Sequence, residues 1–374
     1  MGRLLLKNRE ILFEYDAEFL KSGLELSPFK LPLRSGIISS EDRTFEGLFG
    51  VFNDSLPDGW GRLLLDRKLI HSGINVESLS PLDRLCFVGA HGMGALSYEP
   101  ENPQTLTSLL QDLDEIDYEI QAFQEQDGDA YVDDLLTLNG SSTGARPKVL
   151  MHLEGKDWLI KFRSRLDLHE ISTIEYAYHL MAQGAGLVVP EAKLFSSRKG
   201  SGFFGVERFD RKGNTRIHMH TAAGLLHTDH RTPSLDYEMI MKATLYLTQN
   251  LAECEKQFRH AVFNVLAHNR DDHSKNFSFL MDDQGIWTVS PAYDLTFSSG
   301  PNGEHSTMVM GHGQNPKPEH LLQLANIAEI GKGKALGIIE EVHDSIRKWP
   351  DFAEIAGVSK LQTQRIHKVL EKCL

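Results

Sequence analysis

Asn269-Arg270-Asp271-Asp272-His273-Ser274-Lys275-Asn276 is a run of eight polar residues between a helical pattern ending near Ala267 and a strand beginning at Phe277. A polar loop carried on two apolar elements is a common mount for reactive groups, because the supports hold the geometry while the loop stays open to a ligand. The strand belongs to a hairpin, Phe277-Ser278-Phe279-Leu280-Met281 and Ile286-Trp287-Thr288-Val289, joined by the turn Asp282-Asp283-Gln284-Gly285. Pro291-Ala292-Tyr293-Asp294-Leu295 follows, so the hairpin delivers a further carboxylate, Asp294, at a strand end. Asp271 and Asn276 stand five apart, the spacing at which an aspartate takes the proton of an attacking hydroxyl and an asparagine binds a divalent ion in phosphoryl transfer. With Asp294 as a second hard oxygen ligand, Asn276 and Asp294 are the expected Mg2+ ligands.

Phosphoryl transfer depends on positioning and charge neutralisation more than on covalent help, so it needs a nucleotide-holding apparatus upstream. Its three parts occur in the required order. Asn139 is followed by Gly140-Ser141-Ser142-Thr143-Gly144-Ala145, a small-residue loop entering a strand and suited to close backbone approach to the phosphates of ATP. Lys161 lies on the second strand of a hairpin, Val149 to Leu153 and Trp158 to Phe162, and Glu175 lies in the helix that follows. An ion pair between them would set the ammonium against the α- and β-phosphates. Each of these residues also has an ordinary reading, as a turn, a surface strand position or a solvated helix position. Their collinear order on matching elements favours the joint catalytic reading.

The pattern divides into three parts. Residues 1–100 read as a strand, turn and strand (Leu4 to Lys7, Ile11 to Tyr15), helices around Asp58 to Ile70 and Pro81 to Phe87, and a strand near Ala95 to Tyr98. Residues 101–210 hold the hairpin, the helix ended by Gly184 and Gly186, and strand-like pieces at Pro190 to Leu194 and Gly202 to Glu207. Residues 211–374 are mainly helical, with Tyr237 to Leu247, Glu253 to Ala267 and three amphipathic stretches from His320 onward. This predicts an α+β fold of two lobes with a boundary near Asp210 and a ligand in the cleft between them.

Composition narrows the class of function. A chain of 374 residues that is 41% hydrophobic has ample material for a large core. No apolar run approaches the roughly 20 residues that cross a bilayer, and no signal peptide is legible. Cys86, Cys254 and Cys373 are few and widely spaced, which fits a reducing cytosol and a cytoplasmic location. The net charge of −13 is local: twelve acidic residues and no Lys or Arg lie between Glu99 and Asp134, leaving the remainder near −1. That segment reads as a solvated acidic helix pair, including Leu106 to Phe123, and no basic stripe for nucleic acid is present.

Several stretches carry a resemblance across most of the chain: Asn53-Asp54-Ser55-Leu56-Pro57-Asp58-Gly59-Trp60-Gly61, Phe87-Val88-Gly89, Gly144-Ala145-Arg146-Pro147-Lys148, Val206-Glu207-Arg208-Phe209-Asp210-Arg211, the loop from Asp271 to Asn276, and Pro291 to Leu295. In combination they resemble the HipA-like Ser/Thr kinases, toxins of bacterial toxin–antitoxin modules. The resemblance implies a protein-kinase-like bilobal fold with the N-terminal hundred residues added to the small lobe. It implies ATP and Mg2+ as cofactors, and backbone groups of Glu207 and Phe209 at the adenine. It also implies autophosphorylation of a loop serine, by position Ser141 with Ser142 as the neighbouring candidate, which would place up to about two negative charges beside the nucleotide phosphates. The implied partners are a protein substrate such as an aminoacyl-tRNA synthetase and a small helix-turn-helix HipB-like antitoxin that brings DNA only indirectly. Asp272 departs from the family's more usual non-acidic residue, and the distance to Asn276 selects Asp271. His273 and Lys275 have two readings, contact with the γ-phosphate or stabilisation of the loop.

Other features have plainer explanations. His218, His220, His227 and His230 invite a metal, yet no Asp, Glu or Cys stands at ligand spacing to complete a site. Trp60 with Leu63, Leu64 and Leu65 reads as a packed helix, and Gly331-Lys332-Gly333-Lys334 as a turn before a helix. Two rivals remain at this stage: a small-molecule kinase resembling the aminoglycoside phosphotransferases, and a catalytically silent module that binds antitoxin or DNA.

Overall fold

The computed structural model describes residues 1–40, 42–101, 112–125, 132–139, 144–232 and 234–373. At the N-terminus β1 (Gly2–Lys7) and β2 (Glu10–Tyr15) pair antiparallel, with Leu4 opposite Phe13, and β3 (Ile37–Ser39) joins the far side of β2. Alternation along β2 buries Ile11, Phe13 and Tyr15 on one face. The short helices α1 (Ala17–Leu20) and α2 (Gly50–Asn53) complete this unit. Its core is continuous with Leu225, Ala243, Leu247, Phe279, Met281 and Trp287 from the second half of the chain. The resemblance attached the N-terminal hundred residues to the small lobe; the sheet is instead built onto the large lobe.

The next helix crosses over. In α3 (Gly59–His71), Trp60, Leu64, Leu65 and Leu69 pack into a cluster with Ile116, Ile120, Phe123, Val149, Trp158 and Ile160, while Leu63 faces outward. The N-terminal segment thus straps both lobes. It continues into α4 (Pro81–Val88), opened by a capping box between Ser80 and Asp83. The strand expected at Ala95 to Tyr98 is not formed. Arg216 donates to the carbonyls of Gly94 at 2.9 Å and Leu96 at 3.0 Å, and Arg211 donates to those of Gly92 and Gly94. Guanidinium groups have taken the acceptors that a neighbouring strand would need.

The small lobe holds α5 (Leu113–Gln124), α6 (Val132–Asn139), β4 (Lys148–Leu153), β5 (Lys156–Lys161), α7 (Ile171–Gly184), β6 (Ala192–Phe195) and β7 (Phe203–Glu207). Its sheet is antiparallel in the order β4-β5-β7-β6. Of the acidic stretch expected from Leu106 to Phe123, residues 106–111 lie outside the described residues; α5 starts at Leu113, where the Asp112 side chain accepts the amides of Asp114 and Glu115 and caps it. One face buries Ile116, Ile120 and Phe123, and Arg198 bonds Asp112 and Asp114 on another, so the acidity is partly neutralised.

In the large lobe the hairpin β8 (Arg211–Lys212) and β9 (Thr215–Arg216) leads into β10 (His218–Thr221) and α8 (Ala222–Leu226). Then come β11 (Leu235–Asp236), α9 (Tyr237–Thr248), α10 (Leu251–Leu266), β12 (Ser278–Met281), β13 (Trp287–Val289) and β14 (Thr307–Met308). The strands β10, β12 and β13 form one antiparallel sheet beneath the cleft. Four C-terminal helices follow where three stretches were expected: α11 (Pro318–Ile327), α12 (Lys332–Arg347), α13 (Trp349–Ala356) and α14 (Lys360–Leu370). Pro350 sits in the first turn of α13, where a missing N–H costs nothing, and Gly357 at φ +78° ends that helix. Gly331 is the N-cap of α12, and Lys332, Gly333 and Lys334, read from sequence as part of a turn before a helix, instead form its first turn. No helix among the described residues is long and apolar enough to cross a membrane.

Three of the histidines that suggested a metal, His218, His220 and His227, lie at the seam between the N-terminal unit and the large lobe, while His230 lies in the cleft beside His273. Buried Asp54 accepts from His220 Nδ1 at 2.6 Å and from the amide and hydroxyl of Thr221, both at 2.7 Å. His220 Nε2 bonds Ser27 Oγ at 2.9 Å, His218 Nε2 donates to Leu26 O at 2.9 Å, and His227 Nε2 accepts the Gly50 amide at 3.0 Å. Each of these three rings bonds at least one protein partner across the seam, although His218 Nδ1 is buried without one among the described residues.

Candidate active site

The end of β5 puts Lys161 at the floor of the interlobe cleft, opposite Lys148 in the β4–β5 register. The Lys161 ammonium donates to Glu175 of α7 and also to Asp294. Burial acts to strip its proton, but the two carboxylates prevail and raise its pKa. At Asp294 burial alone would favour the neutral acid; the nearby Lys161 and Lys148 ammoniums overrule it and hold the carboxyl well below the usual range. Asp294 also sits at φ +55°, a left-handed conformation that L residues rarely adopt and that recurs where geometry serves function.

The polar loop separates its two adjacent aspartates. Asp272 is wholly buried and accepts from Tyr237 Oη at 2.8 Å, His305 Nδ1 at 2.9 Å, and the amides of Ser306 at 2.9 Å and Thr307 at 3.2 Å. Asp271 is exposed in the cleft, and its carboxylate makes no hydrogen bond among the described residues. Desolvation by the walls of the cleft raises its pKa, with His273 opposing the shift and Asp294 adding to it. Asn276 Nδ2 donates to the Asp271 carbonyl at 2.7 Å, which leaves the amide oxygen as the atom it has for a cation. His273 Nδ1 is buried without a protein partner among the described residues, and its ring lies 5.6 Å from that of His230. Lys275 is bonded to Asp58.

Two connected spaces share Asp294, Tyr293 and Lys275. The inner one, about 1110 Å³, runs from Lys161 and Lys148 to Glu207, Phe209 and Leu96. The outer one, about 1660 Å³, holds Asp271, His273, Asn276, Gly144, Ala145 and Asp58. The Glu207 amide is engaged by Glu191 O at 2.8 Å, so its carbonyl is what it has left for a base. Phe209 packs against Tyr293 with ring centroids 5.6 Å apart. The structure thus gathers Lys161, Glu175, Asp271, His273, Lys275, Asn276, Asp294, Glu207, Phe209, Gly144 and Ala145 around one cleft. Gly140, Ser141, Ser142 and Thr143 lie outside the described residues.

Sequence reasoning gave no role to three charged groups that meet this cleft. Lys148 is buried beside Lys161, and burial pushes its ammonium down against the pull of Asp294. Arg146 bonds Asp167 at 3.1 Å and approaches Glu175 to 4.0 Å. Asp58 enters from the N-terminal segment. All three stand inside motifs quoted above, Asn53 to Gly61 and Gly144 to Lys148, and that was the available signal.

A family model described as the HipA-like C-terminal domain matches residues 140–349, and one described as the HipA N-terminal domain matches residues 1–99. A protein of Sinorhizobium fredii named "Putative kinase Y4dM" is 29% identical over 154 residues, 38% of this chain and 37% of that protein, so the match spans little more than a third of that relative. Among solved structures, a chain of the Shewanella oneidensis MR-1 complex of HipA, HipB and operator DNA aligns over 100% of this chain and 93% of its own length, with a TM-score of 0.71 at 18% identity. The Helicobacter pylori proinflammatory kinase CtkA aligns over 60% of this chain and 89% of its own, with a TM-score of 0.43 at 13% identity. The Shewanella likeness gives the bilobal kinase-like fold for the whole chain. With one HipA model covering more than half of the sequence and a second covering its first 99 residues, the chain belongs to the HipA family.

Proposed function

We propose that this chain is an ATP- and Mg2+-dependent Ser/Thr protein kinase of the HipA type. The observation that carries the reading is the Lys161 ammonium held between Glu175 and Asp294, in the same cleft as Asp271 and Asn276. The residues present suit a divalent cation with a polyphosphate. Asp294 is kept ionised, Asn276 has an amide oxygen to give, and His273 Nδ1 lacks a partner among the described residues. Bound Mg2+ would neutralise the charge that builds on the transferring phosphoryl group.

Each residue then has a task. Lys161, oriented by Glu175, holds the α- and β-phosphates; Asn276 and Asp294 ligate the metal; Gly140 to Ala145 cover the phosphates; Glu207 and Phe209 meet the adenine edge with backbone groups. Asp271 accepts the proton as a substrate hydroxyl attacks the γ-phosphorus and the bridging oxygen departs with ADP. Its raised pKa makes it a better proton acceptor than an ordinary aspartate. We further propose autophosphorylation at Ser141 or Ser142, growth inhibition through a protein substrate such as an aminoacyl-tRNA synthetase, and neutralisation by a helix-turn-helix HipB-like antitoxin. The HipB and operator DNA of the Shewanella complex support that last expectation.

Incubation with Mg·ATP followed by phosphopeptide mapping tests the proposal. Wild type is expected to gain phosphate on Ser141 or Ser142, and Asp271→Gln to lose that signal while still binding nucleotide. An undiminished signal in Asp271→Gln rejects the base assignment, and no nucleotide binding by wild type rejects the kinase.

A further inference from the structure

Asp58 precedes α3 at the position where an aspartate ordinarily caps its own helix, yet its side chain makes no capping bond. The carboxylate is used elsewhere. Oδ1 accepts the Gly144 amide at the end of the glycine-rich loop, and Oδ2 accepts the Lys275 ammonium of the catalytic loop. Two neighbours add to the attachment. The Trp60 amide donates to Gly144 O at 3.1 Å, and Gly59, at φ +45°, lies so close that a Cβ there would meet that oxygen at 2.5 Å. Burial disfavours the Asp58 carboxylate, but Lys275 and the Gly144 amide outweigh it and keep the group ionised. Lys275 is itself almost fully covered, with 6% of its side chain exposed.

These contacts join three pieces of chain distant in sequence. The helix that follows Asp58 packs in the small-lobe core, Gly144 leads into β4, and Lys275 stands on the large lobe. We propose that Asp58 is a positioning residue, a clamp that fastens the end of the glycine-rich loop to Lys275 and so holds the cleft at the separation a nucleotide needs. The inference rests on the cleft being a nucleotide site, as proposed above. A carboxylate that bridges a loop amide and an opposing ammonium fixes both at once, so its loss frees the loop end and Lys275 together.

The test uses the full chain as wild type, Asp58→Ala, Asp58→Asn, Lys275→Met and the Asp58→Asn/Lys275→Met double variant. Affinity for a non-hydrolysable ATP analogue with Mg2+ is measured by calorimetry, together with kcat and KM for ATP. Asp58→Ala is expected to raise Kd and KM on the order of tenfold while kcat changes little, because the clamp acts on binding geometry and not on the proton acceptor. Asp58→Asn, which keeps an acceptor for Gly144 but loses the charge, is expected to fall between. In the Lys275→Met background it should add little, since the two residues act as one unit. Unchanged or tighter nucleotide binding in both Asp58 variants overturns the clamp; tighter binding would mark Asp58 as an internal competitor of the phosphates. Fully additive effects also overturn it. Asp58→Asn is nearly isosteric and carries the test if Asp58→Ala fails to fold. A second measurement needs no nucleotide: amide exchange in Asp58→Asn is expected to rise together in peptides around 144–148 and 273–276, and absence of that rise rejects the clamp. Failure of wild type to bind nucleotide counts against the proposed function and leaves this exchange result standing by itself.

Discussion

Asp272→Ala should cost this protein a large share of the large lobe's stability, although it lies next to a residue whose replacement should cost almost none. The Asp272 carboxylate is fully buried and serves four donors, two of them the backbone amides of Ser306 and Thr307. Those amides cannot rotate toward other acceptors. Tyr237 Oη keeps a bond from Asn264 at 2.9 Å, and the His305 ring can turn only within a packed site. A buried donor left without a partner costs about 1–3 kcal/mol. Counting the two amides fully and the two side chains in part gives about 4 kcal/mol, near the upper end for a single substitution. For a folding unit of 150–250 residues each kcal/mol moves Tm by about 2–4 °C, so a fall of roughly 8–16 °C is expected. Calorimetric melting of purified Asp272→Ala, Asp271→Ala and wild type is the assay. Asp271 is exposed and its side chain makes no hydrogen bond among the described residues, so its alanine variant should stay within about 0.5 kcal/mol of wild type. A melting point for Asp272→Ala within about 2 °C of wild type, or equal losses in the two variants, would refute the division of labour between these aspartates.

Further outcomes follow from the same geometry. The Asp271 pKa is raised in the folded protein, so the proposed transfer should lose rate with acid at a pH above the ordinary aspartate value of 3.8; a pH–rate profile flat down to that value would contradict this. Gly59→Ala places a Cβ against Gly144 O at a left-handed φ, and should both lower Tm and weaken nucleotide binding, as melting and calorimetry would show. Incubation with a strong chelator should leave Tm unchanged, because His218, His220 and His227 bond protein partners, whereas His220→Ala should lower Tm by removing bonds to Asp54 and Ser27. A chelator-sensitive melt would revive the metal reading of these histidines.

The half of the cleft that holds Asp271, Asn276 and Asp294 was legible because its signals are local. An acidic residue five before an asparagine, a hairpin, and a carboxylate just after it need only short-range order to be recognised, and turn and strand chemistry are written in a few adjacent residues. The lysine strand and glutamate helix were legible for the same reason: β5 and α7 each announce themselves by periodicity. The expected strand at Ala95 to Tyr98 failed where a local pattern met a distant claim on its carbonyls, since Arg211 and Arg216 lie more than a hundred residues away. The C-terminal helices were undercounted because Pro350 reads as a break or as a first-turn residue depending on where the preceding helix stops.

By itself the amino-acid order indicated the main hairpins and longer helices, the order of the candidate phosphate-handling motifs, and Asp271 in preference to Asp272 as the expected proton acceptor. Only the tertiary structure decided that the N-terminal sheet is built on the large lobe while α3 sits in the small one. It alone showed that His218, His220 and His227 bond across the seam while His230 faces the cleft, and that Asp58 reaches across to Gly144 and Lys275. The reason is physical: secondary structure follows from neighbours a few residues apart, whereas the partner of a buried charge or the face that covers a sheet is chosen by whichever distant group lowers the free energy of the whole packed chain.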